Sequence, residues 1–161
     1  METENLFTYG SDEKDVKERV GVFFNKFSNF FNINVKKAIF LEGVLTQYLL
    51  NIQYQERKAT PFRIKLKGLK LDEKQIKKLL PEIQNKLEEY GKNYYRGLES
   101  IISEYFVSSG NDWNISNDEI SFYFVLGMNL SNIFKKEKNN GGKENEWNNK
   151  EQVGDSIFIW Y

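Results

Sequence analysis

The side chains that could do chemistry form a restricted set, because the 161-residue chain holds no histidine and no cysteine. Thiol nucleophiles, imidazole bases, disulfides and Cys/His zinc sites are therefore excluded. Carboxylates, lysines, serines and tyrosines remain. Among the carboxylates, Glu42 stands out by its surroundings, since it is the one charged residue between Lys37 and Glu56. A carboxyl in so apolar a run is expected to be shielded from water, with a raised pKa if buried. It reads either as an acid/base group or as a glutamate hydrogen-bonded to a facing helix or a protein partner. The second reading is preferred, because no second catalytic group accompanies it. Asp12, Glu13 and Asp15 sit where the first turn of a helix favours negative charge, with metal binding as the other reading. Ser116 and Glu119 have capping-box spacing, so Asp118 and Glu119 read as structural.

The basic residues are less evenly spread than the acidic ones. The chain as a whole is neutral, with 23 basic and 23 acidic residues. From Arg57 to Lys78 the basic residues are Arg57, Lys58, Arg63, Lys65, Lys67, Lys70, Lys74, Lys77 and Lys78, opposed only by Asp72 and Glu73. Nine against two leaves +7 on this segment and −7 on the remainder. One reading is a solvated lysine face. The other is a surface that follows the phosphates of a nucleic acid, where binding is driven by counterion release. GKNYYRGL (91–98) adds Lys92 and Arg96 beside two tyrosines, one of which could stack on a base. Lysines far outnumber arginines, which suits contact with a backbone more than forked readout of bases. No phosphate loop, glycine-rich nucleotide fingerprint or EF-hand loop occurs, so no active site, cofactor or metal is expected.

The elements that must carry these residues read as helices. Only two prolines interrupt the chain, and 16% of it is aromatic. A first helix is expected from Ser11 or Asp12, with Val16, Val20, Phe23, Phe27 and Phe30 or Phe31 on its apolar face. Asn34 can cap a second, running to about Gln55 and apolar nearly all round, as a central helix is. Thr60-Pro61 fits a helix start. Phe62, Leu66 and Leu69 have helical spacing, while Phe62, Ile64 and Leu66 alternate as on a strand. A short helix ending at Gly68 is preferred. Asp72 starts the next, with Ile76, Leu79 and Leu80 apolar. Pro81 then breaks that helix or opens another, and one apolar face runs from Glu82 to about Val107. SSGNDWN (108–114) reads as a loop, and the helix opened by SNDE runs to about Phe134. FLEG (40–43) and FVLG (124–127) echo each other, and glycines at those places would let the two helices pack closely.

The expected architecture is all-α: a bundle of about five helices over residues 11–134, with a flexible C-terminal tail. Residues 1–10 read as a loose arm and 135–152 as a disordered polar linker. Residues 153–161, ending in IFIWY, read as an apolar segment that docks on its own core or on a neighbour. The N-terminus lacks a secretory signal pattern. The most apolar run, Ala38 to Ile52, is broken by Glu42, Thr46, Gln47 and Asn51, so no membrane partner is expected. Absence of cysteine fits a cytoplasmic setting.

Two long runs carry a family resemblance. QYQERKATPFRIKLKGLKLDEKQIKKLLPEIQNKLEEYGKNYY (53–95) and NDEISFYFVLGMNL (117–130) closely resemble the C-terminal part of the type I-B CRISPR large subunit, and the resemblance spans about residues 20–134. In that family the part is helical and is also made as a separate small subunit by translation from an internal start. The resemblance implies a non-catalytic small subunit of Cascade, stacked with other copies of itself between the large subunit and the crRNA-bound backbone subunits. It implies contact with the displaced non-target DNA strand of the R-loop through basic residues, the matching positions being the 57–78 cluster. Cutting is then the work of a recruited helicase-nuclease.

Overall fold

The computed structural model describes residues 4–5, 13–57, 61–68, 70–90, 96–131 and 135–136. Six helices make up the body: α1 (Glu13–Lys26), α2 (Asn34–Arg57), α3 (Pro61–Lys67), α4 (Glu73–Glu89), α5 (Arg96–Ser109) and α6 (Asn117–Asn129). Two dipeptides, β1 (Glu4–Asn5) and β2 (Lys135–Lys136), pair antiparallel with Glu4 opposite Lys136. The architecture is all-α, as expected, with six helices where about five were anticipated. The rest of the N-terminal arm, the rest of the 135–152 linker and the 153–161 segment lie outside the described residues.

Helix α2 is the axis of the bundle. Its apolar residues surround it instead of forming a stripe: Ala38, Ile39, Phe40, Leu41, Val44, Leu45 and Leu49 are each 0 % exposed. Such a helix is stable in water only when neighbours cover every side. Helices α3, α4, α5 and α6 do so, and α1 leans on α5. Helix α1 and the segment after it also reach α2 through their rings, with Phe23 stacked on Phe40 at 5.5 Å and Phe31 edge-on to Phe40 at 5.0 Å.

Helices α2 and α6 run side by side in the same direction. Lys36 lies near Glu119 at one end (3.7 Å), and the Tyr48 hydroxyl donates to the Ser131 carbonyl at the other (3.2 Å). Between these ends the FLEG and FVLG segments meet in matched register. A Cβ added at Gly43 would fall on the Phe124 carbonyl oxygen, 3.1 Å from Met128 N; one added at Gly127 would fall on the Phe40 carbonyl oxygen, 3.1 Å from Val44 N. Each glycine thus sits on the carbonyl of the other segment's phenylalanine, the close backbone approach that such helix crossings use. The echo in the sequence is a reciprocal contact.

Three sequence expectations are corrected. Pro81 neither breaks nor opens a helix but lies inside α4. It forfeits one backbone hydrogen bond and crowds the preceding turn, at about 3 kcal/mol in a helix interior. The helix continues because Ile76 and Leu79 before it and Ile83 and Leu87 after it are all buried, while Pro81 itself is exposed. Water can therefore reach the carbonyl that the proline leaves unpaired. Second, the single apolar face from 82 to 107 belongs to two helices. Helix α4 ends at Tyr90, whose N–H is shared between the Lys86 and Leu87 carbonyls, and α5 starts at Arg96. The i, i+4 pattern persists across the break because both helices turn apolar residues to α2, but α5 also takes α1 as a neighbour. Third, the last helix stops at Asn129 and not near Phe134; Leu130 caps it through the Leu126 carbonyl.

Elsewhere the local signals act as read. The Asp72 carboxylate accepts from Gln75 N (2.9 Å) to cap α4, and Ser116 and Glu119 form a complete capping box on α6. Helix α1 starts at Glu13; Ser11, Asp12 and the Thr60 cap lie outside the described residues. Asn34 departs from the expected cap: it is the first helical residue of α2, and its side-chain amide donates to Ser108 Oγ (2.8 Å), tying α2 to the end of α5.

The reciprocal glycine contact has a measurable consequence. Gly43→Ala and Gly127→Ala should each destabilise the fold by about 1–3 kcal/mol or more, as overpacking does. Gly21→Ala is the control: a Cβ there meets nothing within 4 Å, so the same change should stabilise α1 by roughly 0.5–1 kcal/mol. Urea unfolding midpoints of the three variants check this, and equal effects at all three positions would contradict it.

Candidate nucleic-acid interface

The basic segment occupies the end of α2, all of α3 and the first half of α4. Helix α3 opens on Pro61, whose fixed backbone angle suits the first helical position. Its second residue, Phe62, is 3 % exposed, and the Phe62 N–H donates to Gln53 Oε1 (3.1 Å). That bond anchors the start of α3 to α2. Leu66, one turn on, packs against the same core. The 62–66 segment is therefore a helix, not a strand, and its cations do not all point one way. At 100° per residue Arg63 and Lys67 share the outward side, while Lys65 falls on the opposite flank.

There Lys65 forms an ion pair with Glu82 of α4. In α4, Ile76, Leu79, Ile83 and Leu87 face the core, and Lys74, Lys77 and Lys78 face outward. Lys77 is committed as well: it pairs with Glu73 at 2.8 Å, and its ammonium lies 5.1 Å from the Trp113 ring centroid. Trp113, from the loop between α5 and α6, stacks on Phe106 at 5.2 Å. Lys77 thus ties α4 to that loop.

Five cations remain exposed and without an ion pair among the described residues: Arg63, Lys67, Lys70, Lys74 and Lys78. They spread along α3, the 70–72 connection and the first turns of α4. The side chains of Arg57 and Arg96, together with Lys58 and Lys92, lie outside the described residues, as do Tyr94 and Tyr95. Counting charge along the segment identifies the pole correctly but misses that Glu82, outside the window, neutralises Lys65.

Of the acidic candidates, Glu119 serves the start of α6. The Ser116 backbone N–H holds the Glu119 carboxyl below the usual carboxylate range against the opposing effect of its partial burial, and Lys36 adds to the lowering. Asp118 and Glu119 line a shallow depression of about 320 Å³ with Asn29, Phe30, Phe122 and Tyr123. A second, of about 360 Å³, is lined by residues 32–35 at the start of α2, by Ser108 and Ser109 at the end of α5 and by Trp113. Neither includes a member of the basic cluster. Among the described residues no group of three or more acidic side chains is placed to hold a metal. The side chains of Asp12, Glu13 and Asp15 lie outside the described residues.

Glu42 is 0 % exposed, as its surroundings suggest, but neither carboxyl oxygen has a hydrogen-bond partner. Among the described residues the expected bond to a facing helix is absent. Burial alone pushes its pKa well above the usual glutamate range, so the neutral acid is the form the core holds. The folded state then binds this proton more tightly than the unfolded chain does. Its contribution to stability is fully present below the ordinary glutamate pKa and is lost as pH rises through the raised one. Glu42→Met should remove that pH dependence and stabilise the protein by about 1–3 kcal/mol, the penalty of an unsatisfied buried polar group. Urea unfolding across the acid-to-alkaline range checks both, and a wild-type stability that rises with pH where the variant's is flat would refute the assignment.

Comparison with known proteins agrees with the resemblance read from the sequence. The family model described as the C-terminal domain of CRISPR-associated protein TM1802 (cas_TM1802) matches residues 1–141. No curated protein and no solved structure matches the chain.

Proposed function

The chain belongs to the CRISPR-associated TM1802 C-terminal domain family, and we propose that it is a non-catalytic small subunit of a type I-B RNA-guided surveillance complex, Cascade. In this reading it stabilises the assembly and the R-loop by holding the displaced non-target DNA strand on its basic surface. The observation that carries the reading is the run of five cations, Arg63, Lys67, Lys70, Lys74 and Lys78, exposed and without an ion pair among the described residues, on a chain that is otherwise acidic. Exchanging a DNA duplex for an RNA–DNA heteroduplex is close to energetically balanced, so modest contacts to the freed strand tip it. Its partners are the large subunit, the backbone subunits, further copies of itself and the R-loop, and its setting is the cytoplasm. No helix among the described residues is long and apolar enough to cross a membrane. The other reading, a protein-binding scaffold, draws on Lys65 and Lys77, which already pair with carboxylates.

Reversing Arg63, Lys67, Lys70 and Lys74 to Glu should weaken R-loop formation by the assembled complex while leaving the melting temperature of the subunit close to wild type. Each single-strand phosphate contact contributes about −0.7 to the slope of log affinity against log salt. The fourfold variant should therefore flatten that slope by roughly 3. Electrophoretic or fluorescence assays of target binding over a salt series measure it. Unchanged R-loop formation at physiological salt would sink the reading. Intact assembly with no single-strand binding at low salt would favour the scaffold.

A further inference from the structure

Helix α4 carries its charges in the order opposite to the one that would stabilise it. In its first half, residues 73–80, Lys74, Lys77 and Lys78 stand against Glu73, three minus one, for a net +2. In its second half, residues 81–89, Glu82, Glu88 and Glu89 stand against Lys86, one minus three, for a net −2. A helix has a partial positive charge at its N-terminus and a partial negative one at its C-terminus, so its own stability favours acids first and cations last. Here the dipole and the side chains add up instead, to a positive start and a negative end. The two groups of charge also share a face. Ile76, Leu79, Ile83 and Leu87 turn to the core. At about 100° per residue Lys74, Lys78, Glu88 and Glu89 all fall on the opposite side, and all four are exposed. Glu88 lies about 15 Å beyond Lys78 along the axis, with the exposed, uncharged Pro81 and Asn85 between them.

Glu82 pairs with Lys65, so α3 lies beside the middle of α4. Acid begins where that contact lies. Past Lys78, a polyanion held on α3 and the start of α4 meets first this neutralised pair and then Glu88 and Glu89, which have no ion pair among the described residues. Exposed charges act over about 8 Å at physiological salt, so phosphates are repelled along the last turns of α4. We propose that the acidic half of α4 is a boundary of the strand-binding surface: the strand crosses α3 and the first half of α4 without following α4 to its end, and one chain engages only about five phosphates, one for each exposed cation. This rests on the strand-binding reading above and sets the length of strand that one chain holds. Glu82, Glu88 and Glu89 then act without touching a phosphate, by deciding where the surface ends.

The test uses the full chain and two fluorescein-labelled oligothymidylates, a short one of about six nucleotides and a long one of about sixteen. Anisotropy is followed at low salt and over a salt series. Wild type should show the same slope of log affinity against log salt on both strands, roughly −3.5, since each phosphate contact contributes about −0.7. The double variant Glu88→Lys, Glu89→Lys carries the cations on along the outer face of α4. It should steepen the slope by roughly 1.4 on the long strand and leave the short one bound as wild type binds it. Glu82→Gln frees Lys65 and should steepen the slope by about 0.7 on both strands. Glu18→Lys, at an exposed position on α1, should change neither slope. The double variant should melt at or above the wild-type temperature, because lysines suit the end of a helix. Three results would each overturn the boundary and leave the basic surface standing: a wild-type slope that steepens from the short strand to the long one, a double variant with the wild-type slope on the long strand, or steepening by Glu18→Lys equal to that at the end of α4. If wild type binds neither strand at low salt, the strand-binding reading falls and the boundary with it.

Discussion

The constraint on which the structure turns is the distance between two backbones. Helices α2 and α6 lie so close at Gly43 and Gly127 that each glycine takes up the space beside the other helix's phenylalanine carbonyl. No residue with a Cβ fits there. This approach lets two mostly apolar helices bury each other along their length, and it brings Phe40 and Phe124 into the same dense layer. Close packing in turn explains how α2 can be apolar nearly all round and still bury most of that surface: α6 covers one side at near backbone contact, leaving the rest to α3, α4, α5 and the Phe23 ring of α1. Protein interiors at crystal-like density tolerate little change in volume, so the parallel register of α2 and α6 is set by this one pair of contacts more than by any polar bond.

The same crowding explains where charge can sit. A helix enclosed on every side cannot keep an ionised group, and Glu42, next to Gly43, is held as the neutral acid without a partner. Charge is displaced to the elements at the edge, α3 and the outer face of α4. Helix α3 touches the core mainly through Phe62 and Leu66, and its other positions are open to solvent. Within that edge the lysines divide by what lies beside them. Lys65 reaches Glu82, and Lys77 reaches Glu73 and the Trp113 ring. Those two pin α3 to α4, and α4 to the α5–α6 loop, and leave the outward cations available for a ligand.

Much of this was legible in the residue pattern, and the parts that were not have identifiable causes. Side-chain periodicity and composition carry the all-α class, because amphipathic and wholly apolar helices differ in pattern. The capping box at Ser116 and the cap at Asp72 were legible because capping is local chemistry. The basic pole was legible because charge is counted, not folded. Pro81 misled because a proline's cost is local while the burial of Ile76, Leu79, Ile83 and Leu87 that outweighs it is tertiary. The break between α4 and α5 was hidden because both helices present apolar residues to α2, so the repeat runs on through the turn. Glu42 was read as shielded, correctly, but its lack of a partner depends on what faces it across the core.

In the proposed reading, the magnitudes suit a surface that assists strand separation without dominating it. If all five free cations meet phosphates of a single strand, the salt slope is roughly −3.5, and a fourfold rise in salt weakens binding about a hundredfold. That is a large response from a small surface, yet it stays well short of the slopes of proteins that grip duplex DNA through many more phosphates. The acidic remainder of the chain restrains it further, since its negative charge repels strands that approach elsewhere. Cations alone would bind any polyanion, duplex included. In the proposed reading, the polyanion within reach is the strand that an R-loop releases.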